Sequence, residues 1–446
     1  MTVAIMKTKA EQSLVAAFDA ALARLPGSAA AAGLRRAAIG RFATHGLPHR
    51  RLEPWKYTDL RALMKDADPL ALGADRPVGA GEIDAALGPM TEIDCHHIVL
   101  VDGQVRADLG RFSAPKGVEV LSLAAVLAKA SDPIVAGLMG TSAPEAETVV
   151  ALNTALLTDG TIVRIADNAR FSKPLHIVNV RALGAAHTIA TRTIVTVGQR
   201  AEATIIETHI ALGNAGGGQT NSATEITVGA GAVVDHVKVT SERGATHLAS
   251  WMIALGAAST YRAFQFTAGP ALARNQSFVT FAGEGAKLDL SGVFLARGTE
   301  HVDSTLVIDH AVPACESREL FRGVLDGRAR GIVQGKVIVR PDAQKTDGKQ
   351  MAQALMLSPD AEFDSKPELE IYADDVVCGH GSTCAELDAG LMFYLMARGI
   401  PRAEARAMLI ESFVAEALDK VRHDGLRAAL ASIARAWLRS LTPMGA

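Results

Sequence analysis

Val197-Gly198-Gln199-Arg200-Ala201 returns as Val228-Gly229-Ala230-Gly231-Ala232, as Leu255-Gly256-Ala257-Ala258-Ser259 and as Ala282-Gly283-Glu284-Gly285-Ala286. Each copy reads apolar-Gly-x-x-small and is followed by a strand-like run, and the glycines are 31, 27 and 27 residues apart. A glycine-centred turn at that period suits one coil of a parallel β-helix, whose coils stack only on their neighbours around one continuous core. Glycine lets such turns approach closely. An antiparallel sandwich with coincidentally similar turns is the competing reading of the same pattern.

Working outward, short β-branched or alternating runs extend the strand-rich character on both sides: Ile93 to Val101, Thr161 to Ile165, His176 to Val180, Thr193 to Val197 and Ala203 to Glu207 before or within the repeat, then Val293 to Leu295, Ser304 to Ile308, Gly331 to Val339 and Glu368 to Tyr372 after it. Residues 1–90 are Ala/Arg/Leu-rich and helical, interrupted at Gly46-Leu47-Pro48 and by Glu53-Pro54-Trp55-Lys56-Tyr57-Thr58. Helical signals return at about 388, where Leu409, Phe413, Ala417 and Val421 form one stripe and Leu426, Leu430, Ile433, Trp437 and Leu441 a second. The expected organisation is a helical region at 1–90, a β-helix at 91–387 and a helical region at 388–446. The two C-terminal helices either cap the open end of the solenoid or dock a partner.

At 446 residues the chain exceeds one compact core unless an elongated repeat carries the length. With 45 basic and 48 acidic residues, a net charge of −3, no global field recruits nucleic acid or an anionic membrane. Four cysteines, neither dense nor patterned as a disulfide framework, point to a reducing compartment. Met1 to Leu25 carries amphipathic spacing at Leu14, Phe18, Leu22 and Leu25 in place of the apolar core of a signal peptide, and no run approaches the roughly 18 apolar residues of a membrane span. A cytoplasmic protein is the expectation.

Two of the four cysteines and one histidine fall within Cys378-Gly379-His380-Gly381-Ser382-Thr383-Cys384. In an extended segment Cys378 and His380 share a face, and the two glycines leave the backbone around them uncrowded. A thiol beside an imidazole suits a metal or sulfur site, whereas a buried free cysteine is equally at home as a small hydrophobe. Closed zinc coordination lacks its paired C-x2-C spacing, and a Cys-His hydrolase lacks an identifiable third residue and oxyanion hole. Asp374 and Asp375, if close, hold the thiol pKa up. Other motifs fail. Gly331-Ile332-Val333-Gln334-Gly335-Lys336-Val337 is one residue short of a phosphate loop and has no Ser or Thr after the lysine. Gly213-Asn214-Ala215-Gly216-Gly217-Gly218-Gln219 reads as a surface loop, and the adjacent rings of His96 and His97 face opposite ways on a strand.

From about Asn275 to Ile410 the chain resembles the SufB/SufD family of iron-sulfur cluster assembly scaffolds. The resemblance rests on Phe321-Arg322-Gly323-Val324-Leu325-Asp326-Gly327, Ala343-Gln344-Lys345-Thr346-Asp347, Lys366-Pro367-Glu368-Leu369-Glu370-Ile371, Ala373-Asp374-Asp375-Val376, Cys378-Gly379-His380-Gly381 and Phe393-Tyr394-Leu395 with Arg398-Gly399. Glu53-Pro54-Trp55-Lys56-Tyr57-Thr58-Asp59 and Ala151-Leu152-Asn153 place it nearer the SufD branch. The resemblance implies a mainly β fold, a right-handed parallel β-helix between helical ends. It implies a non-catalytic scaffold, no cofactor of its own, and a transient Fe-S cluster at the interface with a SufB-type paralogue, with His380 the first choice as iron ligand and Cys378 beside it. It further implies a SufC ATPase held by the C-terminal helices, a SufB-type partner held through the β-helix, a reduced flavin in the complex, and a homodimer as an option for the isolated chain. Gly379 and Cys384 depart from the family pattern, and Cys384 is read as a core substitution. Two alternatives stand: a purely architectural subunit without ligands of its own, and a β-helix carbohydrate-active enzyme using a calcium cage drawn from Asp303, Asp309, Asp374 and Asp375.

Overall fold

The computed structural model describes residues 6–73, 76–129, 147–213 and 217–441. Its strands are β1 (His96–Val101), β2 (Gln104–Val105), β3 (Val118–Ser122), β4 (Asp159–Ile165), β5 (Leu175–Arg181), β6 (Thr188–Val197), β7 (Glu202–Ala211), β8 (Gln219–Val228), β9 (Val233–Thr240), β10 (Thr246–Leu255), β11 (Thr260–Ala268), β12 (Leu272–Phe281), β13 (Lys287–Ala296), β14 (His301–His310), β15 (Glu316–Leu325), β16 (Arg330–Val339), β17 (Asp347–Met356), β18 (Glu362–Ile371) and β19 (Val377–Ala385). Its helices are α1 (Lys9–Ala21), α2 (Ala29–His45), α3 (Leu60–Leu63), α4 (Ala80–Leu87), α5 (Leu123–Leu127), α6 (Thr148–Leu156), α7 (Ala389–Ala397), α8 (Arg402–Leu418) and α9 (Asp424–Arg439).

Even-numbered strands from β4 to β18, with β3, make one sheet, and odd-numbered strands from β5 to β19, with β1 and β2, make the other. Neighbours are parallel and in register, as when Thr246–Leu255 pairs residue for residue with Leu272–Phe281. Only the first pairs, β1 with β2 and β3 with β4, are antiparallel. The chain is thus a β-solenoid of about 8 turns flanked by helices, 40% strand and 26% helix, and the sandwich alternative falls.

One turn type recurs at the end of each even-numbered strand from β4 to β16. A residue of positive φ stands at Asn168, Arg200, Gly231, Ala258, Gly285, Ala314 and Lys345. It is followed each time by a small or short buried residue: Ala169, Ala201, Ala232, Ser259, Ala286, Cys315 and Thr346. Cys315 is therefore a structural member of this ladder. The repeated glycine lies two residues earlier and is required by stacking: a Cβ at Gly283 would sit 2.1 Å from Ala257 N, and one at Gly256 2.7 Å from Val228 O. Gly229 and Gly256 donate to the carbonyls of Val197 and Val228 in the coil below, each at 2.8 Å.

Alternation along each strand sends one phase into the space between the sheets, where Trp251, Ile253 and Leu255 of β10 join Tyr261, Phe281, Phe294 and Phe321 in the main core. The other phase is also largely buried, because helices cover both outer faces. Leu14, Phe18 and Phe42 of α1 and α2 and Leu152 of α6 pack with Ala190, Leu248 and Leu272 on the even-strand sheet. Ile410, Val414 and Ala417 of α8 and Leu426, Leu430 and Trp437 of α9 pack with Val237, Phe264, Phe266, Val293 and Val324 on the odd-strand sheet. The C-terminal helices consequently lie along the side of the solenoid and do not cap its end. The buried stripe of α8 is Ile410, Val414 and Ala417, continued by Val421 just past the helix; Ile410 and Val414 stand one residue on from the Leu409 and Phe413 expected.

The Glu53-Pro54-Trp55 segment straps the N-terminal region to the even-strand sheet. Trp55 is buried under Arg274, whose guanidinium carbon is 3.8 Å from the indole centroid. Arg274 donates to Pro54 O at 2.7 Å and pairs with fully buried Asp303, which also accepts from Thr58.

Candidate functional site

Cys378 and His380 lie on β19, the last strand of the odd-strand sheet, which pairs with β17 alone. Their register partners are Gly348 and Gln350, and those of the next strand in are Ser317 and Glu319. Even-numbered residues of β19 therefore carry the inward phase, but no further coil stacks on them, so the thiol is half-buried against the main core and His380 is exposed. The same geometry corrects the reading of Cys384. It occupies an inward position opposite Ala354, yet it is exposed because the coil is terminal. Gly379 faces open space, so a larger residue at this position meets no atom.

Burial raises the Cys378 pKa, the Gly348 amide opposes the rise, and Asp347, together with Glu319 once it ionises, adds to it. Those two take the role expected of Asp374 and Asp375, which stand in the turn before β19: Asp375 N donates to Gln344 Oε1 at 2.9 Å and Asp375 O accepts from Lys345 N at 2.6 Å. A thiol so placed is mostly protonated at neutral pH and becomes a ligand when a metal displaces its proton.

Beneath His380 the inward phase is polar. Gln350 is buried with its Nε2 unpaired, and neither oxygen of fully buried Glu319 makes a hydrogen bond. Burial pushes the Glu319 carboxyl up to about 8, with Ser317 and Arg318 pulling weakly the other way. At neutral pH it is therefore largely the neutral acid. Glu319 and Gln350 line a small cavity closed by Phe321, Gly335, Pro367 and Gly381. Sequence reasoning missed both residues. The signal was the strand phase: Ser317 and Phe321 are inward, so Glu319 between them must be inward too.

Among the described residues no third histidine, cysteine or carboxylate joins Cys378 and His380 at chelating distance. The pair can offer one or two ligands, and further ones must come from another molecule. The carboxylates proposed for a calcium cage are otherwise engaged: Asp303 with Arg274, Thr58 and Thr305, and Asp309 with Arg340 at 2.9 Å. The rejected phosphate-loop segment lies inside β16, where Lys336 pairs with Glu370 at 2.5 Å. Of the glycine-rich loop read at 213–219, residues 214–216 lie outside the described residues.

The end coil presents two unpaired backbone edges, β18 and β19, side by side. Apolar side chains stand exposed around them, Tyr372 at 60% and Val377 at 62%, and the adjoining α7 exposes Phe393 at 74%, Leu391 at 53% and Tyr394 at 52%. A groove of about 570 Å³ runs between Met356 to Pro359 and the α7–α8 corner, lined by Met392, Phe393, Met396, Arg402 and Arg406. Exposed strand edges beside exposed aromatics are the ordinary marks of a surface that another chain covers. No described helix is long and apolar enough to cross a membrane.

The structure is a stacked parallel solenoid of the β-helix class whose uncovered last coil carries a thiol and an imidazole on one face. Comparison with known sequences specifies the family. The profile described as SUF system FeS cluster assembly, SufBD core domain, matches residues 180–413, and that of the SufBD protein N-terminal region matches residues 8–177. The chain belongs to the SufBD family of iron-sulfur cluster assembly proteins. It is 30% identical over 386 residues to the iron-sulfur cluster assembly protein SufD of Escherichia coli, covering 86% of this chain and 87% of that protein. An iron-sulfur cluster assembly SufBD family protein of Synechocystis is 28% identical over 94% of both chains. SufD of Bacillus subtilis is 33% identical over 34% of this chain and 35% of its own.

Proposed function

We propose that this chain is the SufD-type subunit of a cytoplasmic iron-sulfur assembly complex, in which a nascent cluster is the cargo and His380, with Cys378, supplies part of its ligand set. The observation that carries the reading is the terminal coil: an exposed imidazole and a half-buried thiol on one face of an unpaired strand, with no third ligand within reach among the described residues. A SufB-type paralogue meeting β18 and β19 end-on would both cover the bare edges and bring the missing ligands. Neutral imidazole suits iron, and Gln350 is the register partner of His380 on β17. A second copy of this chain can occupy the same edge when the paralogue is absent.

The sequence carries no phosphate-loop motif, and in this reading energy enters through a SufC-type ATPase docked on the α7–α8 corner, where Phe393 is exposed beside Met396 and Arg402. Reduced flavin, if the complex uses it, is carried by the assembled state and is checked by flavin retention on the purified complex. The deciding experiment is co-expression with SufB and SufC from the same source and anaerobic purification, comparing the parent chain with His380→Ala for bound iron, sulfide and visible absorption. A complex that forms in both cases but loses its cluster by about tenfold in the variant supports the reading. Equal cluster content refutes a ligand role and leaves an architectural subunit.

A further inference from the structure

The first coil holds a second cluster of metal-binding side chains, remote from β19. Cys95 immediately precedes β1, and Cys95 and His97, two residues apart, share the outer face of the sheet. His97 is the direct register partner of His176 on β5, with ring centroids 5.1 Å apart. All three are buried, and one ligand atom from each lies within 4.8 Å of the others.

His176 is fully buried, its Nε2 lies 2.8 Å from Thr208 Oγ1, and its Nδ1 has no hydrogen-bond partner. With Nε2–H donated to Thr208, the Nδ1 lone pair is free, which is how a ligating histidine is ordinarily fixed by a neighbour of the metal site. A buried lone pair without a donor is otherwise a net cost. The other cluster of this kind, His209, Glu242 and His247 inside the solenoid, differs. His209 meets Glu207 at 2.6 Å, His247 meets Glu242 at 2.7 Å, and the Lys238 ammonium lies 2.9 Å from the other nitrogen of His247. There a cation is already in place.

We propose that Cys95, His97 and His176 form a binding site for a zinc-class divalent ion, with Thr208 as the positioning residue for His176. A thiolate and two neutral imidazoles are a borderline-soft donor set suited to zinc and not to magnesium or calcium. Around tetrahedral zinc such donors stand about 3.4 to 3.6 Å apart, so side-chain rotation of about 1 Å closes the set. On binding, the Cys95 thiol proton passes to solvent as the sulfur–metal bond forms. Thr208 also lines a groove of about 580 Å³ bounded by Leu87 to Met90, β7, β9 and Ile433, whereas Cys95, His97 and His176 do not reach it. Seven strand spacings of about 4.8 Å, roughly 34 Å, separate β5 from β19, so this site is independent of the cluster edge.

The test is titration of the full-length, chelator-stripped chain with cobalt(II), a spectroscopic stand-in for zinc. The expected result is one ion per chain with a thiolate-to-cobalt charge-transfer band, displaced by zinc. The band disappears in Cys95→Ser and is unchanged in Cys378→Ser combined with His380→Ala. Thr208→Val keeps every ligand and weakens binding about 10- to 100-fold with the band retained. Absence of a thiolate band in the parent, its survival in Cys95→Ser, or parent-like affinity in Thr208→Val would overturn the assignment.

Discussion

Gly283→Ala tests the stacking argument, because two general effects oppose each other there. Replacing glycine restricts the unfolded chain and ordinarily stabilises by about 0.4–1 kcal/mol where the conformation allows. In this turn the added Cβ would lie 2.1 Å from Ala257 N and 2.5 Å from Ala257 Cα. Both are backbone atoms that cannot rotate away, so the coils must part, at the roughly 1–3 kcal/mol typical of overpacking. Parting them also stretches the Gly283 N to Leu255 O hydrogen bond of 3.1 Å, worth about 1 kcal/mol. The net expectation is destabilisation of about 1–3 kcal/mol. In a solenoid, where each coil leans only on its neighbours, the loss should be local. Native-state hydrogen exchange reads it: protection in β10 to β13 falls by about tenfold per 1.4 kcal/mol while β5 and β7 change little. Ala258→Gly is the mirror experiment. Ala258 has φ 53°, and relief of a left-handed cost of about 1–2 kcal/mol outweighs the unfolded-state penalty, leaving stability unchanged or raised. Gly283→Ala as stable as the parent, with protection intact, would refute the claim that stacking places these glycines.

Glu319→Gln should flatten the pH dependence of stability. The carboxyl is raised from 4.5 to about 8 in the fold, so between those values the unfolded state has released a proton the native state keeps; native stability therefore falls as pH rises, by on the order of 4 kcal/mol in all. The variant should gain over the parent when unfolding in urea is compared at pH 8 and at pH 5, and equal losses at both would contradict this. Arg274→Ala leaves Asp303 charged and buried and should cost about 3–5 kcal/mol. Limited proteolysis near residues 46–60 would show the strap released, and an intact strap would count against its anchoring role. Phe393→Asp should abolish co-purification of a SufC-type ATPase without shifting the melting temperature; unchanged recovery would remove α7 from the docking surface. Truncation after Ile400 is a poor substitute, since it uncovers Phe264, Phe266 and Val293, which α8 and α9 bury.

The solenoid was legible because four stacking turns kept glycine at nearly constant spacing. The coils beyond were read from their strands and not from this turn motif, which is lost there. The turns carrying Ala314 and Lys345 begin four and six residues past the end of their strands, against three at Arg200, Gly231 and Ala258. Length alone does not decide this, because Gly285 also stands four residues past β12 and that turn keeps Gly283; Val312 and Ala343 stand where the glycine was. Cys378 and His380 were visible through their rarity and alternation. Their exposure was not, because it depends on which coil is last. Cys384 shows the same gap, carrying a core phase in a place with no core. The placement of α8 and α9 was likewise unreadable. Amphipathic stripes at Ile410 and Leu426 specify that a face is buried, and only the bare outer phase of β9, β11 and β13 says against what. Cys95, His97 and His176 are split across two strands, and sequence proximity instead drew attention to His96 and His97, whose rings diverge.

The two ends of the solenoid differ in the strands they leave at the edge. The first coil is finished by antiparallel strands, β2 and β3, while the last offers β18 and β19 bare. A similar chain that joins there must approach head-on, related by an approximate two-fold axis, so its strands run against these. Such a contact uses the last coil of both molecules. A two-fold contact of that kind closes on itself and does not propagate along the solenoid axis.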